Sequence, residues 1–159
     1  MNKNLVIKNF YFIVALLSIF TLASAIYIEY VLGVKACKLC SYQRIPYMVA
    51  IFLCFFGYSN LKKPLWIYLI TFNFLLSLIL AGYHSGIENN LFPEFSGCTA
   101  NNLNIIDKEE LINSLSENLP NCKDVGFKLI GFSLATINLF ISLIIFIIGL
   151  LFIKNEKNR

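Results

Sequence analysis

Charge and histidine are both scarce in this chain. Charged residues make up 14% of the 159 positions, well under the roughly one quarter found in soluble globular domains. The single histidine, His84, rules out a metal centre built from several imidazoles. No glycine-rich dinucleotide fingerprint and no haem-attaching CxxCH occur, so the usual tightly held redox cofactors have no motif here. There is no internal repeat and no low-complexity linker. The one long polar stretch runs from His84 to about Lys128, which leaves no room for a separate soluble core.

What fills the chain instead is apolar. Hydrophobic residues reach 58%, in long and nearly charge-free runs. A helix needs roughly 20 such residues to cross a bilayer core, and the runs at 10–28, 65–82 and 129–153 meet that length. The run at 45–58 is shorter and borrows from flanks carrying Tyr42 and Arg44 on one side and Asn60 and Lys62 on the other. The expectation is an all-α membrane protein, a bundle of four transmembrane helices at about 10–32, 43–60, 65–83 and 129–153. Two cysteine-bearing loops, about 33–42 and 84–128, join them, and 1–159 forms one membrane domain. The first run also has a rival reading. Lys3 and Lys8 precede it and Ala23-Ser24-Ala25 looks like a signal-peptide cleavage site, but the run continues beyond the roughly 7–15 residues of a signal's apolar region. An uncleaved helix is expected.

Orientation follows from the cations. Lys3 and Lys8, Lys62 and Lys63, and Lys154, Lys157 and Arg159 all fall on one side of the bundle. The loop from Glu88 to Lys128 carries seven carboxylates against three lysines. By the positive-inside rule both termini are cytoplasmic, and the net charge of +4 reflects topology, with no nucleic-acid face.

Cys37, Cys40, Cys98 and Cys122 then share the outer compartment, where disulfides persist. Cys54 lies inside a helix and reads as a small packed apolar residue. The other four could be staples, in any of three connectivities. A zinc site with His84 would need ligands from widely separated turns. The pair Cys37-Lys38-Leu39-Cys40 points instead to redox chemistry. Pro46 is expected in a helix's first turn, which starts the second helix near 42–44 and sets Cys40 just off its N-terminus. There the free N–H groups, with Lys35, Lys38 and Arg44 nearby, favour thiolate.

The run Cys37-Lys38-Leu39-Cys40-Ser41-Tyr42-Gln43-Arg44-Ile45-Pro46-Tyr47 resembles the CxLCxxQRxPY signature of DsbB-type disulfide-bond formation proteins of bacterial inner membranes. Gly82-Tyr83-His84-Ser85-Gly86, Cys98, and Cys122-Lys123-Asp124-Val125 extend the likeness over nearly the whole chain. The resemblance implies an oxidase that takes electrons from a periplasmic thioredoxin-like dithiol protein, DsbA-like, and passes them to a membrane quinone of ubiquinone or menaquinone type. It implies that Cys98 forms the mixed disulfide with the partner and pairs with Cys122. Cys122 would then attack Cys37, and Cys40 would be released to face the quinone. Arg44 matches the arginine of the quinone site, its alternative being an interfacial anchor. For His84 a quinone contact and an ordinary interfacial histidine stay equally open. Independently, a dithiol at the membrane edge is within reach of an acceptor that diffuses in lipid.

Within the long loop, Asp107-Lys108-Glu109-Glu110 reads as a capping box opening a short amphipathic helix that ends at Pro120. It would rest on the membrane surface or pack as a loop helix. Two other functions fit the topology. One is a four-helix scaffold or partner-binding protein with stapled loops, which leaves the Cys40 environment without a purpose. The other is an outward-directed reductase, which lacks cysteines within reach of a cytoplasmic donor.

Overall fold

The structure, a computed structural model, describes residues 3–61, 63–93, 122–123, 126–129 and 131–157. Cys98 and the loop helix expected after Asp107 lie outside the described residues. Four helices, α1 Lys3–Tyr30, α2 Lys38–Ser59, α3 Leu65–Glu88 and α4 Leu134–Lys157, account for most of what is described. Each is long and apolar enough to cross a membrane, so the expected four-helix membrane bundle is what the chain forms.

The helices begin and end at other places than the apolar runs suggest, for local reasons. α2 starts five residues before position 43, because Cys37 caps it. The Cys37 backbone is extended, at φ −69° and ψ 166°, and its sulfur accepts the Cys40 N–H. Pro46 therefore lies inside the helix, where it removes one backbone bond, a defect that transmembrane helices tolerate. α3 runs five residues past position 83, through His84 to Glu88. Asn89 closes it by donating its side-chain amide to the Ser85 carbonyl at 2.7 Å, and Asn90 takes a left-handed φ of 60°. α4 starts five residues after position 129, because a two-stranded hairpin precedes it. In that hairpin Lys128 pairs with Ser133 and Leu129 with Phe132 around Gly131 at φ +85°. Ser133 then accepts the Thr136 N–H at 3.1 Å, a cap on the new helix.

Neighbours in sequence are neighbours in space, α1 against α2, α2 against α3 and α3 against α4. Small residues let the backbones approach, as membrane helix packing requires. A Cβ on Gly149 of α4 would lie 2.3 Å from Thr71 Oγ1 of α3, and one on Gly57 of α2 would lie 2.7 Å from the Tyr11 ring of α1. The apolar core draws on all four helices through Tyr11, Tyr47, Ile70, Phe74 and Ile145, with Cys54 buried among them. The Phe10 and Phe152 rings close α1 on α4 at 4.7 Å between centroids. Toward the opposite end, where the cysteines lie, a cavity separates α1 from α4.

Candidate functional site: a dithiol beside a membrane cavity

Three helix ends and the segment around Cys122 meet at the cysteine end of the bundle. The α2 N-terminus brings Cys37 and Cys40, and the last turn of α3 brings His84 and Glu88. Cys37, Leu39, Ile87 and Cys122 form a small buried cluster, against which Cys40 and Tyr83 pack. Cys122 is disulfide-bonded, whereas Cys37 and Cys40 are free. A free dithiol and a cysteine from a second pair thus lie side by side. The structure brings Cys37, Cys40 and Cys122 together.

The charge in the dithiol sits on the other cysteine of the pair from the one that the sequence favoured. The two sulfurs are 2.7 Å apart and share a hydrogen. Cys37 Sγ also accepts the Cys40 backbone N–H at 3.2 Å and lies 3.6 Å from His84 Nε2. With the Cys40 N–H directed at it and the His84 ring beside it, Cys37 is the better seat for an anion. Its pKa is lowered to about 4, first by the Cys40 thiol and then, against the opposing cost of burial, by His84 and the Cys40 N–H. The expectation of a Cys40 thiolate off the helix N-terminus is corrected, because α2 starts earlier and its first N–H groups face Cys37. Arg44 does not serve this sulfur either. Its guanidinium pairs with Glu29 of α1 at 2.5 Å.

His84 is no interfacial histidine, being 2% exposed. Gln43 Nε2 lies 3.0 Å from its Nδ1, Glu88 lies 3.8 Å from its Nε2, and the Cys122 backbone is another hydrogen-bond partner. Glu88 in turn accepts from Ser133 Oγ. Gln43 Oε1 accepts from Asn138 Nδ2 at 3.0 Å, and Asn138 Oδ1 accepts from Tyr47 O–H. Sequence reading assigned no role to Gln43, Tyr47, Glu29, Glu88 or Asn138. The available signal was their polarity within or beside apolar spans, where such residues are costly and mark function.

Cys37, Cys40 and His84 offer ligand atoms within 4.8 Å of one another, so the separation that argued against a shared zinc is not there. The distance between the sulfurs argues against it instead. Two thiolates at about 2.3 Å from a tetrahedral zinc stand roughly 3.8 Å apart, and these stand at 2.7 Å. The spacing suits thiol–disulfide exchange.

The cavity beside the dithiol has a volume of about 280 Å³. Apolar side chains such as Phe20, Ile28, Leu134 and Ile141 make its walls, and Cys40, Arg44, Glu29, Asn138 and His84 supply polar atoms. A mostly apolar hollow with a few convergent polar groups is the usual form of a small-molecule site.

Four membrane helices around a low-pKa dithiol, with the disulfide-bonded Cys122 against it, define a membrane thiol–disulfide protein. The sequence profile described as "Disulfide bond formation protein DsbB" matches residues 7–152, and the chain belongs to the DsbB family. It is therefore an oxidoreductase of the disulfide-forming machinery. It is also similar to "Uncharacterized protein RP370" of Rickettsia prowazekii (strain Madrid E). The two are 28% identical over 151 residues, which cover 90% of this chain and 86% of that protein.

Proposed function

We propose that this chain reoxidises a periplasmic thioredoxin-like dithiol protein, DsbA-like, and passes the electrons to a quinone in the inner membrane, with both termini cytoplasmic. The observation that carries this reading is Cys122 buried against Cys37 in one cluster at the rim of the cavity. In the proposed sequence, a partner thiolate attacks Cys98 of a Cys98–Cys122 disulfide, giving a mixed disulfide and a Cys122 thiolate. The second partner thiolate resolves that bond and leaves the partner oxidised. Cys122 attacks Cys37 of the Cys37–Cys40 disulfide and releases the Cys40 sulfur, and the Cys98 thiolate freed in the previous step then attacks Cys122 of the Cys37–Cys122 bond, which restores Cys98–Cys122 and leaves Cys37 and Cys40 reduced. The chain thus takes up the two electrons of the partner dithiol. A quinone, when bound, would supply an acceptor for two electrons and two protons, enough to restore the Cys37–Cys40 disulfide.

The cavity fits the ring of such an acceptor and not its tail, which would lie in lipid. Arg44 would donate to a ring carbonyl, with Glu29 holding the guanidinium at the wall. A scaffold with stapled loops gives no purpose to a cysteine pair set beside a cavity with a third cysteine buried against it.

The test is oxidation of a reduced thioredoxin-like partner by purified protein. Oxidation beyond the two equivalents that the chain's own two disulfides can supply should require added quinone, and Arg44→Ala should raise the quinone concentration needed while leaving mixed-disulfide formation nearly normal. Arg44→Lys should do less harm, as it keeps the charge. Catalytic oxidation without any quinone would refute the assignment.

A further inference from the structure

Four buried polar residues, Tyr47, Asn138, Gln43 and His84, form a directed line inside the bundle. Tyr47 O–H can only donate to Asn138 Oδ1, which also faces Ser142 Oγ at 3.4 Å. An amide whose oxygen is so occupied presents its Nδ2 hydrogens on the other side, and there it meets Gln43 Oε1 at 3.0 Å. Gln43 is oriented by the same logic. With its oxygen accepting, its Nε2 donates, and the atom 3.0 Å away is His84 Nδ1. A ring nitrogen that accepts carries no hydrogen. The remaining hydrogen of a neutral imidazole is then on Nε2, 3.6 Å from Cys37 Sγ.

We propose that Tyr47, Asn138 and Gln43 are positioning residues which fix His84 as its Nε2–H tautomer, so that its one N–H is aimed at Cys37. Reversing the line would put a lone pair of the ring against the Cys37 sulfur, an arrangement that an anion opposes. All four side chains are buried, at 7% exposure or less, so water is not a ready substitute partner, and an unmade bond leaves a donor or acceptor at its full desolvation cost. The line links α2, α3 and α4, so the tautomer depends on how three helices are seated and not on α2 alone. The inference concerns the tautomer of His84. It rests on the proposed redox role of Cys37 only for its consequence in turnover.

Because His84 is the sole histidine, labelling histidine with nitrogen-15 gives one ring to observe in the intact protein. In wild-type protein Nδ1 should show the shift of an unprotonated ring nitrogen and Nε2 that of a protonated one. This should hold with the Cys37–Cys40 pair oxidised, where no thiolate draws a second hydrogen onto the ring. In the oxidised form no thiolate is present to select the tautomer, so there the line acts alone. Gln43→Leu in that form should give a mixture of both tautomers, and Asn138→Leu should do the same by releasing Gln43 to rotate. A protonated Nδ1 in the oxidised wild-type protein overturns the proposal without recourse to any variant, and so does an oxidised Gln43→Leu spectrum identical to wild type. Loss of quinone-dependent turnover with the tautomer intact would count against the proposed function instead, so the two ideas fail separately.

Discussion

Cys37 has its charge held by three donors, and removing each has a distinct outcome. Cys40→Ala takes away the largest contribution, so the Cys37 thiolate, followed by its ultraviolet absorbance, should disappear at a clearly higher pH than about 4 as the solution is acidified. Because the folded value lies below the ordinary thiol value of 9.0, the thiolate stabilises the folded reduced protein fully above that ordinary value. The stabilisation declines as pH falls and is gone below about 4. His84→Leu should act in the same direction through redox potential. A stabilised thiolate favours the reduced pair and makes the disulfide a stronger oxidant. Each unit by which the Cys37 pKa rises, while it stays below the working pH, should make the pair less oxidising by about 30 mV in equilibration against glutathione buffers. An unchanged potential in His84→Leu would show that its contact at 3.6 Å contributes nothing to the dithiol.

At the scale of the helix, the closest backbone approach is a matter of one hydrogen atom. Gly149→Ala would drive a methyl to 2.3 Å from Thr71 Oγ1, which is itself bonded to the Ile67 carbonyl at 2.8 Å and so has little freedom to turn away. Overpacking of this kind costs about 1–3 kcal/mol. Thermal unfolding in detergent should show that loss, and adding Thr71→Ala should recover much of it. Additive losses in the double variant would mean that α3 and α4 do not meet at this pair. Helices of this kind were legible in the sequence as apolar runs, but their ends were not. Run length reports where lipid begins, while the ends are set by single capping bonds from Cys37, Asn89 and Ser133. The cysteines were legible from their spacing and motif. The seat of the thiolate was not, because five residues of extra helix decide which sulfur meets the first N–H groups. Asn138 and Glu88 drew no attention because a polar residue among apolar ones reveals its partner only after the helices are packed.

Across the whole molecule, Leu91 lies just past the cysteine end of α3 and Lys63 beyond the far end of α2, both exposed. Single cysteines at these positions, in a chain otherwise lacking reactive thiols, should label differently from outside an intact cell. The one at Leu91 should react with a membrane-impermeant reagent and the one at Lys63 should be protected. Equal labelling would overturn the proposed orientation and the compartment in which the disulfides are expected to persist.

The line of amides and hydroxyls spans α2, α3 and α4 and includes no side chain of α1. The first helix is held by apolar packing, by Glu29 on Arg44 and by Lys8 lying 5.4 Å over the Tyr58 ring. In mechanical terms three helices are bolted together and the first is leaned against them. Of the helices lining the cavity α1 is the one outside that line, and if it is the wall that yields, its breathing would set how fast a flat ring enters or leaves. The asymmetry can be measured by cutting the polypeptide in the connector after Leu32 and producing the two pieces together. The larger piece should keep its own helices associated in detergent, while the smaller piece exchanges in and out. Tethering the pieces again, or bridging α1 to α4 near Phe10 and Phe152, should slow that exchange and turnover in parallel.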